Sequence, residues 1–159
     1  MNYDEEMNIK NVEFGDMPPQ AFLLGLLSAF DNRYQAAADA FFKEITWKQF
    51  FAIICINLCK EAPTINELSD VMGCSHQNVK QILLRLEKKG FISTVEDEKD
   101  KRKQRIYVTE AARNFLENND NNGQQSQYII GRIFEGISDK NLKTTIQTIM
   151  KMERNLSEL

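Results

Sequence analysis

The sequence predicts a mostly α-helical fold with one small β-hairpin, on three observations. Apolar residues recur at helical spacing over most of the 159 positions. Two capping boxes and a Gly-Cys-Ser turn punctuate the centre of the chain. The hydrophobic period falls from 3.6 to about 2 over one stretch only, where "FISTV" and "QRIYV" flank a hydrophilic tip.

Residues 1–17 are polar and net acidic, and are expected as an N-terminal arm or loosely held tail. The first long helix opens at the proline pair Pro18-Pro19, where a missing N–H costs nothing, and is expected to run to about Phe42. Its wide apolar surface (Phe22, Leu23, Leu26, Leu27, Phe30, Tyr34, Ala37, Phe41) needs more than one neighbour to cover it. Thr46 and Gln49 form a T-x-x-Q box opening a second helix, with Trp47, Phe50, Phe51, Ile54 and Leu58 at helical spacing. Thr64 and Glu67 open a short third helix with Ile65, Leu68, Val71 and Met72 expected inward. Gly73 supplies its left-handed end, Ser75 caps the next helix, and Gly90 stops that helix after Lys89. The hairpin follows, with "EDEKDKRK" as an eight-residue loop. Thr109 caps "EAARNFLE", and Ser138 caps the last helix after the asparagine-rich "NNDNNGQQSQ".

Length and composition are those of an ordinary soluble protein of one domain or a small two-part fold. The longest apolar run, residues 21–30, is interrupted by Gly25 and Ser28 and is far too short for a bilayer span. "MNYDEEMNIK" lacks a basic region ahead of an apolar stretch, so a cytoplasmic protein without a membrane partner is expected. Cys55, Cys59 and Cys74 are an odd number without disulfide-framework spacing, and they read first as free thiols. With one His and no C-x-x-C, no metal site or cofactor is expected. There is no nucleophile elbow and no phosphate loop, so no catalytic residue is assigned and the chain is not expected to be an enzyme.

The net charge of −3 argues against a polyanionic partner, but its distribution argues for one. Nine basic and five acidic residues between Lys80 and Arg105 give +4, leaving −7 for the rest of the chain. Glu96, Asp97 and Glu98 read there as solvated ballast. The order of helix, tight turn, helix and hairpin is a winged helix-turn-helix, whose second helix enters a major groove of double-stranded DNA. Val79, Ile82, Leu83 and Leu86 share one face of that helix within about 60°. On the other side lie Gln77, Gln81, Leu84 and Lys88, flanked by Lys80 and Arg85. Gln pairs with adenine edges, Lys bonds guanine or phosphate, and Leu84 suits a thymine methyl. Ser75, His76 and Asn78 at the helix N-terminus, with Thr64 at the start of the bracing helix, suit phosphate. The loop cations Lys99, Lys101, Arg102 and Lys103 suit the neighbouring minor groove, with Asp100 placed to pair with Arg102.

At these residues the sequence resembles the MarR family of winged-helix transcription regulators. "TINELSDVMGCSHQNVKQILLRLEKKGFI" resembles the family's helix-turn-helix, and "EDEKDKRKQRIYVTEAA" is similar to its D-x-x-D-x-R wing, with Ala112 where glycine is usual. The resemblance implies a homodimer on a pseudo-palindromic operator, with residues 45–109 binding DNA and residues 18–44 and 110–159 forming the dimerisation region. It also implies a ligand crevice between the two parts, for which Phe30, Tyr34, Trp47 and Phe50 are the candidates. The function expected is a DNA-binding repressor relieved by a small-molecule effector. The alternatives are a redox-responsive regulator using Cys74, seated just ahead of a helix N-terminus, or a winged helix used for protein contact.

Overall fold

The computed structural model describes residues 3–159 apart from 8, 41, 43, 119–127 and 129, with backbone only at 5, 6 and 118. Phe41 and all but the first residue of the asparagine-rich stretch therefore lie outside the described residues. The elements follow in the order α1 (Tyr3–Met7), α2 (Pro19–Asp39), α3 (Trp47–Leu58), α4 (Ile65–Met72), α5 (His76–Lys88), β1 (Ile92–Glu96), β2 (Gln104–Val108), α6 (Glu110–Asn118) and α7 (Asp139–Ser157), and residues 128 and 130–133, between α6 and α7, are helical too. The chain divides into two compact units, Met1–Asn118 and Asn119–Leu159. The mostly helical fold with a two-stranded wing agrees with the sequence-based expectation.

Local chemistry sets the boundaries. Both capping boxes form: Thr46 Oγ1 accepts from Gln49 N while Gln49 Oε1 accepts from Thr46 N, and Thr64 and Glu67 repeat the exchange. Gly73 ends α4 at φ 62°, ψ 31°, a conformation that penalises a Cβ. Ser75 and Ser138 accept from the third residue of α5 and α7, and Thr109 does the same for Ala112. Helix α2 ends at Asp39, short of the expected Phe42, and the Asp39 carboxylate accepts the N–H of Trp47 at the start of α3. The arm is anchored rather than loose: Tyr3 stacks on Phe22 (centroids 3.8 Å apart) and Phe14 N donates to Asp4 at 2.7 Å.

The core of the first unit gathers Ala52, Ile53 and Ile56 of α3, Leu68 of α4, Val79, Leu83 and Leu86 of α5, Ile92, Ile106 and Val108 of the hairpin, and Ala112 of α6. Fully burying one Leu or Ile side chain contributes about 1.5–3 kcal/mol. Two expectations shift here. The buried seam of α3 runs through Gln49, Ala52, Ile53, Cys55 and Ile56, and Leu58 is exposed. Small Ala52 lets neighbouring elements approach, so the bulky Trp47, Phe50 and Phe51 stand half-buried at its side. In α4, Ile65, Leu68 and Met72 face inward, but Val71 lies roughly 90° off that face and is 50% exposed.

The hairpin pairs Ile92 with Val108 through to Glu96 with Gln104, so the loop is residues 97–103, one shorter than expected. Ile106 N also donates to Pro63 O at 2.9 Å, stitching the hairpin to the segment ahead of α4. In the second unit, α7 has no buried residue, and Ile146, Met150 and Leu156 are exposed along it. Among the described residues, no helix is long and apolar enough to cross a membrane.

Candidate nucleic-acid interface

Helix α5 is presented as its periodicity predicts. Val79 and Leu86 are fully buried and Leu83 nearly so. Gln77, Lys80, Gln81, Leu84, Arg85 and Lys88 are exposed, as are His76 and Asn78 in the first turn. The turn ahead of it is tight because Cys74 N donates to Ser69 O (3.2 Å) and Gly73 N to Asp70 O (3.3 Å). Ser75 uses its hydroxyl to cap Asn78 N at 3.3 Å, so its first role is to start the helix.

The wing loop is built around two carboxylates. Asp100 holds Arg102 bidentately, Oδ1 accepting Nε at 3.0 Å and Oδ2 accepting Nη2 at 3.2 Å. The guanidinium itself is 91% exposed. At that exposure the pair contributes little stability; it orients the Arg. The bond from Arg102 holds the Asp100 carboxyl below its usual range and raises Arg102 in turn. The pairing anticipated from the sequence is present.

Asp97 overturns its expected role as solvated ballast. It is 8% exposed, accepts the N–H of Lys99 (2.8 Å) and of Asp100 (2.9 Å), and pairs with Arg105 Nε. These bonds, the Arg105 contact foremost, lower its pKa to about 2. Arg105 Nη1 reaches on to Ala62 O (3.0 Å) and Glu67 Oε2 (3.1 Å). Glu67 also accepts from Thr64 N and Thr64 Oγ1, and the backbone bond is the main cause of its lowered pKa. Arg105, counted in the sequence with the cations facing a polyanion, is therefore tied into the protein. The signal that would have found this tie was the first aspartate of D-x-x-D-x-R, Asp97, which had been read only as ballast.

Two concavities lie beside α5. A cleft of about 360 Å³ is lined by Thr64, Ile65 and Asn66 at the start of α4, His76 of α5, and Lys101, Arg102 and Lys103 of the wing. Four cationic or imidazole side chains thus line one opening against a single carboxylate, Glu96, an excess of positive charge suited to an anion. A crevice of about 510 Å³ is lined by Tyr34, Trp47, Phe51, Met72 and Cys74, with Asn78, Gln81, Ile82 and Arg85 of α5 forming one wall. Of the four aromatic candidates, Tyr34 and Trp47 line it. Phe30 stacks on Tyr34 (6.2 Å) outside the wall, and Phe50 packs against Phe42 (4.9 Å). Gln77, Lys80 and Lys99 are exposed but line neither space. Among the described residues, no group of three or more His, Cys, Asp or Glu is placed to hold a metal.

A bracing helix, a glycine turn, a helix with an exposed polar face and a cationic hairpin define a winged helix-turn-helix. The family model described as "MarR family" matches residues 45–103. Residues 45–103 match that model, and the chain is similar in fold to solved MarR-family transcriptional regulators, the fold that the sequence resemblance implied. The transcriptional regulator SlyA matches at 22% identity and TM-score 0.70, over 86% of this chain and 94% of that one. MepR of S. aureus, solved as a DNA complex, matches at 18% and 0.67, over 82% and 95%. BpsR of Bordetella bronchiseptica, whose DNA binding is regulated by 6-hydroxynicotinic acid, matches at 17% and 0.70, over 87% and 98%.

Proposed function

We propose that the chain is a cytoplasmic, homodimeric transcription regulator that represses from a pseudo-palindromic operator and is released by a small-molecule effector. The observation that carries the reading is the convergence of α4, α5 and the wing on one cationic cleft, beside the exposed Gln77–Lys80–Gln81 face. A DNA backbone phosphate fits the cleft, and base edges fit the face. MepR's DNA complex and the ligand response of BpsR support the two halves of the proposal by likeness of fold. The crevice on the other side of α5 from that cleft, which shares Gln81 with the exposed face, is the effector site, with Tyr34 and Trp47 as its aromatic contacts. An effector preferring a dimer with misplaced α5 helices lowers operator affinity by its differential affinity for that state. The exposed apolar residues of α7 supply part of the dimer contact, within a dimerisation region of residues 18–44 and 110–159.

The test separates phosphate from base contacts. Arg102→Ala should weaken binding to all DNA and reduce the salt slope by about one contact. Gln81→Ala should relax base preference at one symmetric pair of positions while leaving the slope in place. Equal weakening on every sequence by both variants would remove Gln81 from direct readout.

A further inference from the structure

A cation on the wing of a DNA-binding protein reads first as a phosphate contact, and Arg105 is such a cation. Its geometry says otherwise. Its side chain is 24% exposed, and its donors go to Asp97, to Ala62 O at 3.0 Å and to Glu67 Oε2 at 3.1 Å. On the far side Glu67 accepts from Thr64 N (2.7 Å) and Thr64 Oγ1 (3.0 Å), the residue that caps α4. On the near side Asp97 accepts from Lys99 N and Asp100 N, shaping the turn from which Asp100 grips Arg102. A series of bonds thus runs from the α4 cap to Arg102, through side chains as far as Asp97 and through the Asp100 backbone N–H to the Asp100 carboxylate. Both ends of the series, Thr64 and Arg102, line the cleft of about 360 Å³. The backbone bond from Ile106 to Pro63 holds the middle of the hairpin, and Asp97 N to Lys103 O (2.9 Å) and Lys103 N to Asp100 O (2.8 Å) close the loop, leaving its distance from α4 to these side chains.

We propose that Asp97 and Arg105 are positioning residues for DNA binding, setting the distance between the wing tip and the start of α4 so that both engage one stretch of phosphate backbone. The proposal rests on the DNA-binding reading above. It makes a prediction that charge alone reverses. Asp97→Asn removes a negative charge beside the wing, so simple electrostatics calls for tighter binding. Loss of positioning calls for weaker binding.

The experiment measures affinity of the full-length chain for a genomic DNA fragment retained by the wild type, over a salt series. Asp97→Asn, Arg105→Gln and Arg105→Lys are compared, each alone and with Arg102→Ala, and thermal melts confirm that each variant folds. Asp97→Asn is expected to weaken binding by about tenfold and to lower the salt slope, although no cation has been lost. In the Arg102→Ala background the further loss should shrink to about twofold or less, because the two residues act as one unit. Arg105→Lys keeps the charge but not the fork, and should fail as Arg105→Gln does. Full affinity in Arg105→Lys, unchanged or tighter binding by Asp97→Asn, or effects that multiply with Arg102→Ala would each overturn the proposal. A wild type that retains no DNA at low salt would instead overturn the DNA-binding reading itself, and the positioning role with it.

Discussion

Helices α5 and α7 are written on the same amphipathic plan but finish differently. In α5 the apolar stripe is closed over by α3, α4 and the hairpin, and Val79, Leu83 and Leu86 disappear from solvent. In α7, which is longer, none of the nineteen residues is buried, and Ile146, Met150 and Leu156 stay exposed. The pattern in a sequence says that a stripe will be covered; it does not say whether by the same chain or by another. A stripe completed within the chain holds α5 in the winged helix-turn-helix, whereas a stripe left open is material for an interface.

The comparison is broken most severely at its buried end. Leu86→Ala leaves a cavity beneath α5 and should cost about 2–5 kcal/mol of stability in chemical denaturation. A loss under about 1 kcal/mol would mean that the winged helix is not the cooperative core described here. On the open stripe, Met150→Asp should weaken the proposed dimer by an order of magnitude or more in sedimentation, with the spectroscopic helix content kept. A concentration-independent fall in melting temperature would show that α7 is covered within its own chain. Gly73→Ala places a Cβ at φ 62° and should cost about 1 kcal/mol, tilting α5 as it does so. The gentlest test is acid. Asp97, with a pKa of about 2 in the folded chain, contributes stability that is complete above the ordinary aspartate range near 4. That contribution should fall away as pH drops from about 4 towards 2, and Asp97→Asn should flatten the change in this window. A titration of Asp97 near 4, followed by NMR, would show that the pair with Arg105 does not persist in solution.

Most of the winged helix-turn-helix was legible because its signals are local. Capping boxes at Thr46 and Thr64, a left-handed Gly73 and a Ser75 cap each depend on neighbours within a few residues. The D-x-R pairing of Asp100 with Arg102 is equally local. What escaped is set by residues far apart. The seam of α3 follows the small Ala52 and the elements packed on it, which a helical wheel of α3 does not contain. Val71 is apolar yet off the inward face, so composition misplaced it. Arg105 meets Glu67 across 38 positions of sequence, and no spacing rule links them. The crevice is half-legible for the same reason. Tyr34 and Trp47 stand out as aromatics near its floor, whereas Met72, Cys74 and Gln81 join them only when the turn folds against α3.

The measurement that bears most directly on the central claim is selection of genomic DNA by the full-length chain, followed by sequencing of what is retained. The proposed dimer, with its two α5 helices related by a two-fold axis, predicts an inverted repeat, its half-sites about one helical turn apart or a multiple of it, with retention falling steeply as salt rises. Retention without a shared site, or a single asymmetric site insensitive to salt, would contradict the account.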